Sequence, residues 1–318
     1  MISGKDTWFW SGKLRGLSVP LVLLLVSAAS WAQLEPLTSQ YLFNPLVINP
    51  ALAGNREAMS ISILHRDQWL GFEGAPRTET LSIHAPMRKE KVGLGLSMMF
   101  DRLGVTSTNL VEGSFAYRIP IKEGTLSFGL GGGLVIARNH WTDLVAVHPD
   151  DPGIPDETGK YIYPDFSIGA NYQNNSFFVA LSLPMFLTHQ FNTSTHRFEL
   201  VNDFRNYNYH LQAGYLLRFA ENWRVLPSLL IRYAPAAYPQ ADINTYVIYR
   251  DRIWLGVSFR TSKSLIGLIM YQLNNQFSLG YSYDMGWGST GRSLGGTHEI
   301  MIRYDFKYLI DVISPRYF

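Results

Sequence analysis

Between residues 57 and 307 the sequence alternates large apolar side chains with small or polar ones, stretch after stretch, and no segment there is apolar for long enough to cross a membrane as a helix. Successive side chains of a β-strand point to opposite faces, so a period of two describes strands with one greasy face and one polar face. In 124–138, Leu126, Phe128, Leu130, Leu134 and Ile136 alternate with Thr125, Ser127, Gly129, Gly131 and Gly133. In 109–118, Val111, Phe115 and Tyr117 oppose Glu112, Ser114 and Arg118. Residues 207–219 set Tyr207, Tyr209, Leu211, Tyr215, Leu217 and Phe219 against Asn208, His210, Gln212 and Arg218. Phe277–Asp284 and Glu299–Phe306 repeat the pattern.

Two architectures use such strands. A soluble β-sandwich turns the apolar face inward, whereas an outer-membrane barrel turns it toward lipid and needs only roughly 9–11 residues per tilted strand. Tyr and Trp recur at strand ends (Tyr117, Tyr172, Tyr207, Trp223, Tyr233, Trp254, Tyr271, Tyr283), where a membrane-interface girdle lies. Charged residues make up only 16% of the chain, fewer than a water-exposed sheet face calls for. The sequence therefore predicts an all-β fold, a transmembrane antiparallel β-barrel of about 14 strands with an N-terminal plug segment.

The predicted strands are 57–67, 77–86, 91–101, 109–119, 124–138, 163–174, 176–186, 207–219, 223–233, 242–250, 252–260, 265–274, 276–285 and 297–307. Short turns follow the even members of this series. Longer loops, at 68–76, 102–108, 139–162, 187–206, 234–241 and 286–296, follow most odd ones, with 261–264 the short exception. That asymmetry predicts periplasmic turns and external loops, with both termini periplasmic. A terminal aromatic, Phe318 of SPRYF, is the kind of signal that barrel assembly recognises.

Residues 1–32 read as a signal peptide, with Lys5, Lys13 and Arg15 ahead of the apolar run Leu17–Ala29 and Ser30-Trp31-Ala32 as the cleavage site. The mature chain then divides into a plug segment, 33–56, and the barrel, 57–318. Within the former lies SQYLFNPLVINPALAG (39–54), apolar yet broken by Asn44-Pro45 and Asn49-Pro50. Each proline lacks an N–H and pushes the preceding residue out of the helical region, so neither helix nor ladder can form. Such a segment needs cover, and the barrel lumen can provide it. Tyr41, Phe43, Asn44, Pro45, Asn49 and Pro50 are the candidate plug residues.

Charge and cysteine narrow the function. The 27 Lys and Arg less the leader's three, and the 25 Asp and Glu less its one, leave 24 of each. A neutral mature chain is a poor nucleic-acid binder, and the absence of cysteine removes disulfides and thiolate metal sites. No catalytic constellation is present: there is no GxSxG elbow and no Walker loop, and His298-Glu299 lacks the second His of a zincin. No cofactor or metal is expected. The acidic stretch HPDDPGIPDETG (148–159) has oxygen donors but not EF-hand spacing, and reads as a solvated loop where a partner could bind, through Asp150 and Asp151. A second candidate partner surface is RDQWLGFEGAPR (66–77), with Arg66, Trp69, Phe72 and Glu73 held among turn residues. Inward-facing Arg66, Glu112, Arg118, Arg218, Arg232, Glu299, Arg303 and Asp305 are expected to form a lumen network.

The ordered run SQYLFNPLVINPALAG, HRDQWLGFEGAPRTETLSIHAP (65–86), KVGLGLSMMFDRLG (91–104), HEIMIRYDF (298–306) and SPRYF (314–318) closely resembles the PorP/SprF family of outer-membrane proteins of the type IX secretion and gliding machinery of Bacteroidetes. The resemblance implies a non-catalytic outer-membrane barrel. Its implied partners are a secreted surface protein, bound through that protein's C-terminal domain, or subunits of the secretion ring, besides outer-membrane lipids. Asn49-Pro50-Ala51 also resembles the turn in the N-terminal hatch of FadL-type fatty-acid channels, which leaves a diffusion channel for hydrophobic small molecules as the alternative.

Overall fold

A computed structural model of the protein describes residues 38–56, 58–87, 91–140, 159–187, 189–192, 197–200, 204–235, 237–287 and 295–306. The leader, the stretch 148–158 and the last twelve residues with Phe318 lie outside them.

The strands are β1 (Met59–Asp67), β2 (Arg77–Met87), β3 (Val92–Leu103), β4 (Thr106–Ile121), β5 (Gly124–Asn139), β6 (Gly159–Asn174) and β7 (Phe177–Leu183). A small separate hairpin follows, β8 (His189–Asn192) with β9 (Arg197–Leu200). Then come β10 (Tyr209–Tyr215), β11 (Leu217–Ala220), β12 (Trp223–Tyr233), β13 (Gln240–Tyr249), β14 (Ile253–Arg260), β15 (Ser264–Gln272), β16 (Phe277–Gly286) and β17 (Thr297–Phe306). Neighbours pair antiparallel, β1 closes on β17, and β10 joins β7 to β12. Because β11 continues β10 past Leu216, the described residues form a closed antiparallel barrel of fourteen strands.

All fourteen strands stand where the alternation placed them, with four differences. The loop foreseen at 102–108 is a two-residue turn: β3 and β4 run on into it, and Gly104 adopts a left-handed φ of +56° and donates to Gly74 O at 2.9 Å. The polar run Thr106-Ser107-Thr108 hid that extension, although Thr suits a strand. β6 begins at Gly159 rather than 163, inside the predicted loop, and β7 ends at Leu183, before Pro184, which has no N–H to donate to a ladder. The strand foreseen at 207–219 breaks at Leu216, whose N–H turns to Ser176 O at 2.6 Å; the register against β12 is kept across that break and shifts between Arg218 and Ala220. Arg218, next to the short turn at the end of the strand, is exposed and donates to Asn175 O at 2.5 Å, so it does not join the inward network.

The two faces settle the architecture. Phe115, Tyr117, Phe128, Leu130 and Leu134 are exposed on the outside, Leu130 to 63%, while Glu112, Ser114, Arg118, Ser127 and Asp165 are buried within. A continuous apolar exterior around a polar interior is the arrangement of a membrane barrel. No helix among the described residues is long and apolar enough to cross a membrane, and the strands do so instead.

Candidate functional site

The lumen of this barrel contains the chain's own residues Thr38–Arg56, nearly all buried. The two Asn-Pro pairs each start a short 3-10 turn, Pro45–Val47 and Pro50–Leu52. Asn49 caps the second, its Oδ1 accepting from Ala51 N at 2.9 Å, as Asn does at helix starts. Asn44 makes no such cap; its Oδ1 accepts from Ser82 Oγ on β2 at 2.6 Å. The prolines thus convert an apolar segment into turns whose polar groups are partly answered by the wall.

Contact with the wall comes in three tiers. Toward the long-loop rim, Glu299 on β17 accepts from the backbone N–H of Ser39 at 2.6 Å and of Gln40 at 3.2 Å. Arg66 on β1 forms an ion pair with the same carboxylate, both groups being buried. At mid-height, Phe43 packs edge-on against Tyr246 (centroids 5.8 Å apart) and Trp254 (5.3 Å), and Tyr41 accepts from Asn244 Nδ2 at 2.7 Å. Behind them Arg260 binds Asp242 through Nε and Nη2, at 2.9 to 3.1 Å. Toward the short-turn rim, Asn49 Nδ2 reaches Ala170 O and Leu181 O at 3.3 and 3.2 Å, and Ser182 Oγ donates to Ile48 O at 2.6 Å. There Arg118 donates to Ala53 O at 2.5 Å, Gly54 N to His84 Nδ1 at 3.0 Å, and Arg303 meets Asp305 at 3.5 Å.

Glycines make the close approach possible. A Cβ on Gly129 would strike Pro50 and Ala51, one on Gly93 would strike Ala53 O, and one on Gly169 would strike Asn49 Oδ1. The opposite wall supplies bulk, with Leu226, Leu230, Tyr246, Ile248 and Trp254 buried toward the segment. Trp254, read from the sequence as a girdle residue, faces the lumen instead. Its parity with Ser258 and Arg260 on β14 carries that information, because all three share the buried face.

The second candidate surface is the β1–β2 loop, Gln68–Pro76. Five backbone hydrogen bonds shape it: Gln68 N to Pro76 O at 2.9 Å, Phe72 N to Trp69 O at 3.0 Å, Ala75 N to Phe72 O at 3.2 Å, Leu70 N to Gly296 O at 3.0 Å, and Gly104 N to Gly74 O at 2.9 Å. Trp69 is half-buried at a φ of +53°, while Leu70, Phe72 and Glu73 are exposed. A cleft of about 280 Å³ opens here between Trp69, Leu70, Phe72, Pro76, Arg77 and Arg102. Arg66 is not among them, since it points into the lumen as Glu299's partner. Asp150 and Asp151 lie outside the described residues.

Solved structures similar to this one are membrane barrels. The CymD monoaromatic hydrocarbon channel aligns with a TM-score of 0.53 at 13% identity, over 86% of this chain and 94% of that one. The toluene transporter TbuX of Ralstonia pickettii aligns with a TM-score of 0.50 at 10% identity, over 85% and 94%. At such identities the likeness is one of fold. No curated protein matches the sequence. The sequence model of the type IX secretion system membrane protein PorP/SprF, however, matches residues 30–304. With a match over nearly the whole chain and an outer-membrane barrel beneath it, the protein belongs to the PorP/SprF family of the type IX secretion system.

Proposed function

We propose that this barrel is a non-catalytic anchor of the type IX apparatus, closed by its own residues 38–56, that presents a secreted surface partner or ties secretion-ring subunits to the outer membrane. The observation that carries the reading is the burial of Tyr41, Phe43, Leu46, Ala51 and Ala53, each at most 3% exposed, against lumen side chains of both walls. A lumen occupied in this way is suited to holding a partner at its rim rather than to conducting one. In this reading the short-turn rim faces the periplasm, the long-loop rim faces outward, and the cleft between Trp69 and Arg102 is the docking surface. An aromatic and arginine-lined cleft on an internally bonded loop costs little to order on binding.

The second reading, a diffusion channel for hydrophobic small molecules, is favoured by the apolar wall of Leu226, Leu230, Tyr246 and Trp254 and by the likeness of fold to two hydrocarbon transporters. Affinity isolation of the tagged protein in mild detergent, with single-channel recording of the same preparation, separates the two. The anchor predicts co-isolation of a large surface protein or of ring subunits together with negligible conductance. Open channels and recovery of lipid alone would overturn it.

A further inference from the structure

Most buried charges of the lumen are paired. Glu299 faces Arg66, Asp242 and Asp284 face Arg260, and Asp305 faces Arg303 and Arg56. Glu112 on β4 and Asp165 on β6 are different: both are buried, and among the described residues no Lys or Arg forms an ion pair with either.

Their placement is set by register. Glu112 pairs with Gly133 of β5, and Gly133 with Asp165 of β6; one row along, Ser114 pairs with Gly131 and Gly131 with Ser167. Two carboxylates and two hydroxyls therefore flank a pair of bare glycines on the lumen face. Strand spacing puts the β4 and β6 backbones about 10 Å apart, a distance that Glu and Asp span from opposite sides only if the intervening strand carries no side chain. A Cβ on Gly131 would strike Ser167 Oγ and stand 2.6 Å from Glu112 Oε1, so these two oxygens converge above β5. Ser114 Oγ joins them, 3.2 Å from Glu112 Oε1. Asp165 Oδ1 accepts from Leu187 N at 3.0 Å, but Asp165 Oδ2, on a residue 0% exposed, has no hydrogen-bond partner among the described residues.

We propose that Glu112, Asp165, Ser114 and Ser167 form a binding site for a hard divalent cation, calcium being the best fit. Two buried carboxylates without a countercharge repel one another and lack the solvation they had in water. A dication neutralises both at once, and the donors are all oxygens, the class that hard cations take. Calcium tolerates irregular geometry and completes its shell with water, so a site with fewer than three carboxylates suffices; no group of three or more His, Asp or Glu assembles among the described residues. The run Gly129-Leu130-Gly131-Gly132-Gly133 then has two uses: Gly129 admits Ala51, while Gly131 lets the oxygens of Glu112 and Ser167 meet, and Gly133 stands between Glu112 and Asp165 with no side chain of its own. The bound ion cross-links β4 to β6 over β5.

The test uses the full mature chain, purified in detergent with EGTA and then titrated with calcium. Thermal unfolding and calorimetric titration are followed for the wild type, Glu112→Gln, Asp165→Asn and the double variant. The wild type is expected to bind one calcium saturably and to gain roughly 5 °C or more in unfolding midpoint at a hundredfold excess over Kd. Each single variant should lose at least tenfold in affinity, and the double variant in EGTA should unfold no earlier than the wild type in EGTA. Absence of saturable binding by the folded wild type, or binding that survives in the double variant, overturns the site. Because calcium binding is read directly on the wild type, the test stays decisive even where a variant fails to fold. The outcome is independent of which partner the barrel serves.

Discussion

Glu299 accepts a hydrogen bond from the backbone N–H of Ser39 at 2.6 Å, joining residues 260 positions apart, and the same carboxylate is the ion-pair partner of Arg66. One buried anion thus satisfies both a wall cation and the start of the luminal segment. Breaking one half of such a pair leaves the other charge buried without compensation.

Glu299→Gln keeps an acceptor for Ser39 but strands Arg66. A loss of about 3–5 kcal/mol is expected, measured by urea unfolding of the protein in phospholipid vesicles. The double replacement Arg66→Met with Glu299→Leu should cost less than Glu299→Gln alone. If it costs more, the pair is a net stabiliser rather than a positioning device.

Gly129→Val places a branched side chain where Pro50 and Ala51 now lie, whereas Gly132→Val, on the lipid face, meets only ordinary contact with Phe166. Single-channel recording in planar bilayers should show conductance for the first substitution and none for the second or for the wild type. Equal, negligible conductance in all three would mean that closure does not depend on residues 38–56.

Leu130, 63% exposed, lies on the outer face. Leu130→Arg in vesicles should cost about 2–4 kcal/mol, since the charge must enter hydrocarbon. An effect below about 0.5 kcal/mol, typical of water-exposed positions, would place that face outside the membrane.

Phe72 and Leu70 project from the β1–β2 loop with more than half of each residue exposed. Phe72→Ala combined with Leu70→Ala should leave the unfolding midpoint unchanged while lowering recovery of the co-isolated partner at least fivefold. Undiminished recovery would move the docking surface elsewhere on the rim.

Much of the fold was legible because a strand's two-residue period is local: each run of Phe, Leu and Tyr against Ser, Gly and Arg declares two faces by itself. Local pattern and tertiary placement part at three places. Thr106–Thr108 has the polarity of a loop, yet all three residues pair across to β3 and β5. Arg218 is inward by parity and keeps the register of its strand, yet it stands at the short-turn end of the barrel, where it is exposed and donates to Asn175 O. Trp254 has the residue type of a girdle, yet its strand parity carries it into the lumen against Phe43.

The sequence by itself determined that the chain makes amphipathic strands enough for a barrel, and that Ser39–Gly54 could be neither strand nor helix, because alternation and the missing N–H of proline act within a few residues. Only the tertiary structure decided which oxygens meet across Gly131, which arginine faces Glu299, and which glycines make room for Pro50 and Ala51. Those relations depend on strand register and barrel closure, which bring together residues far apart in the chain and leave no periodic trace in it.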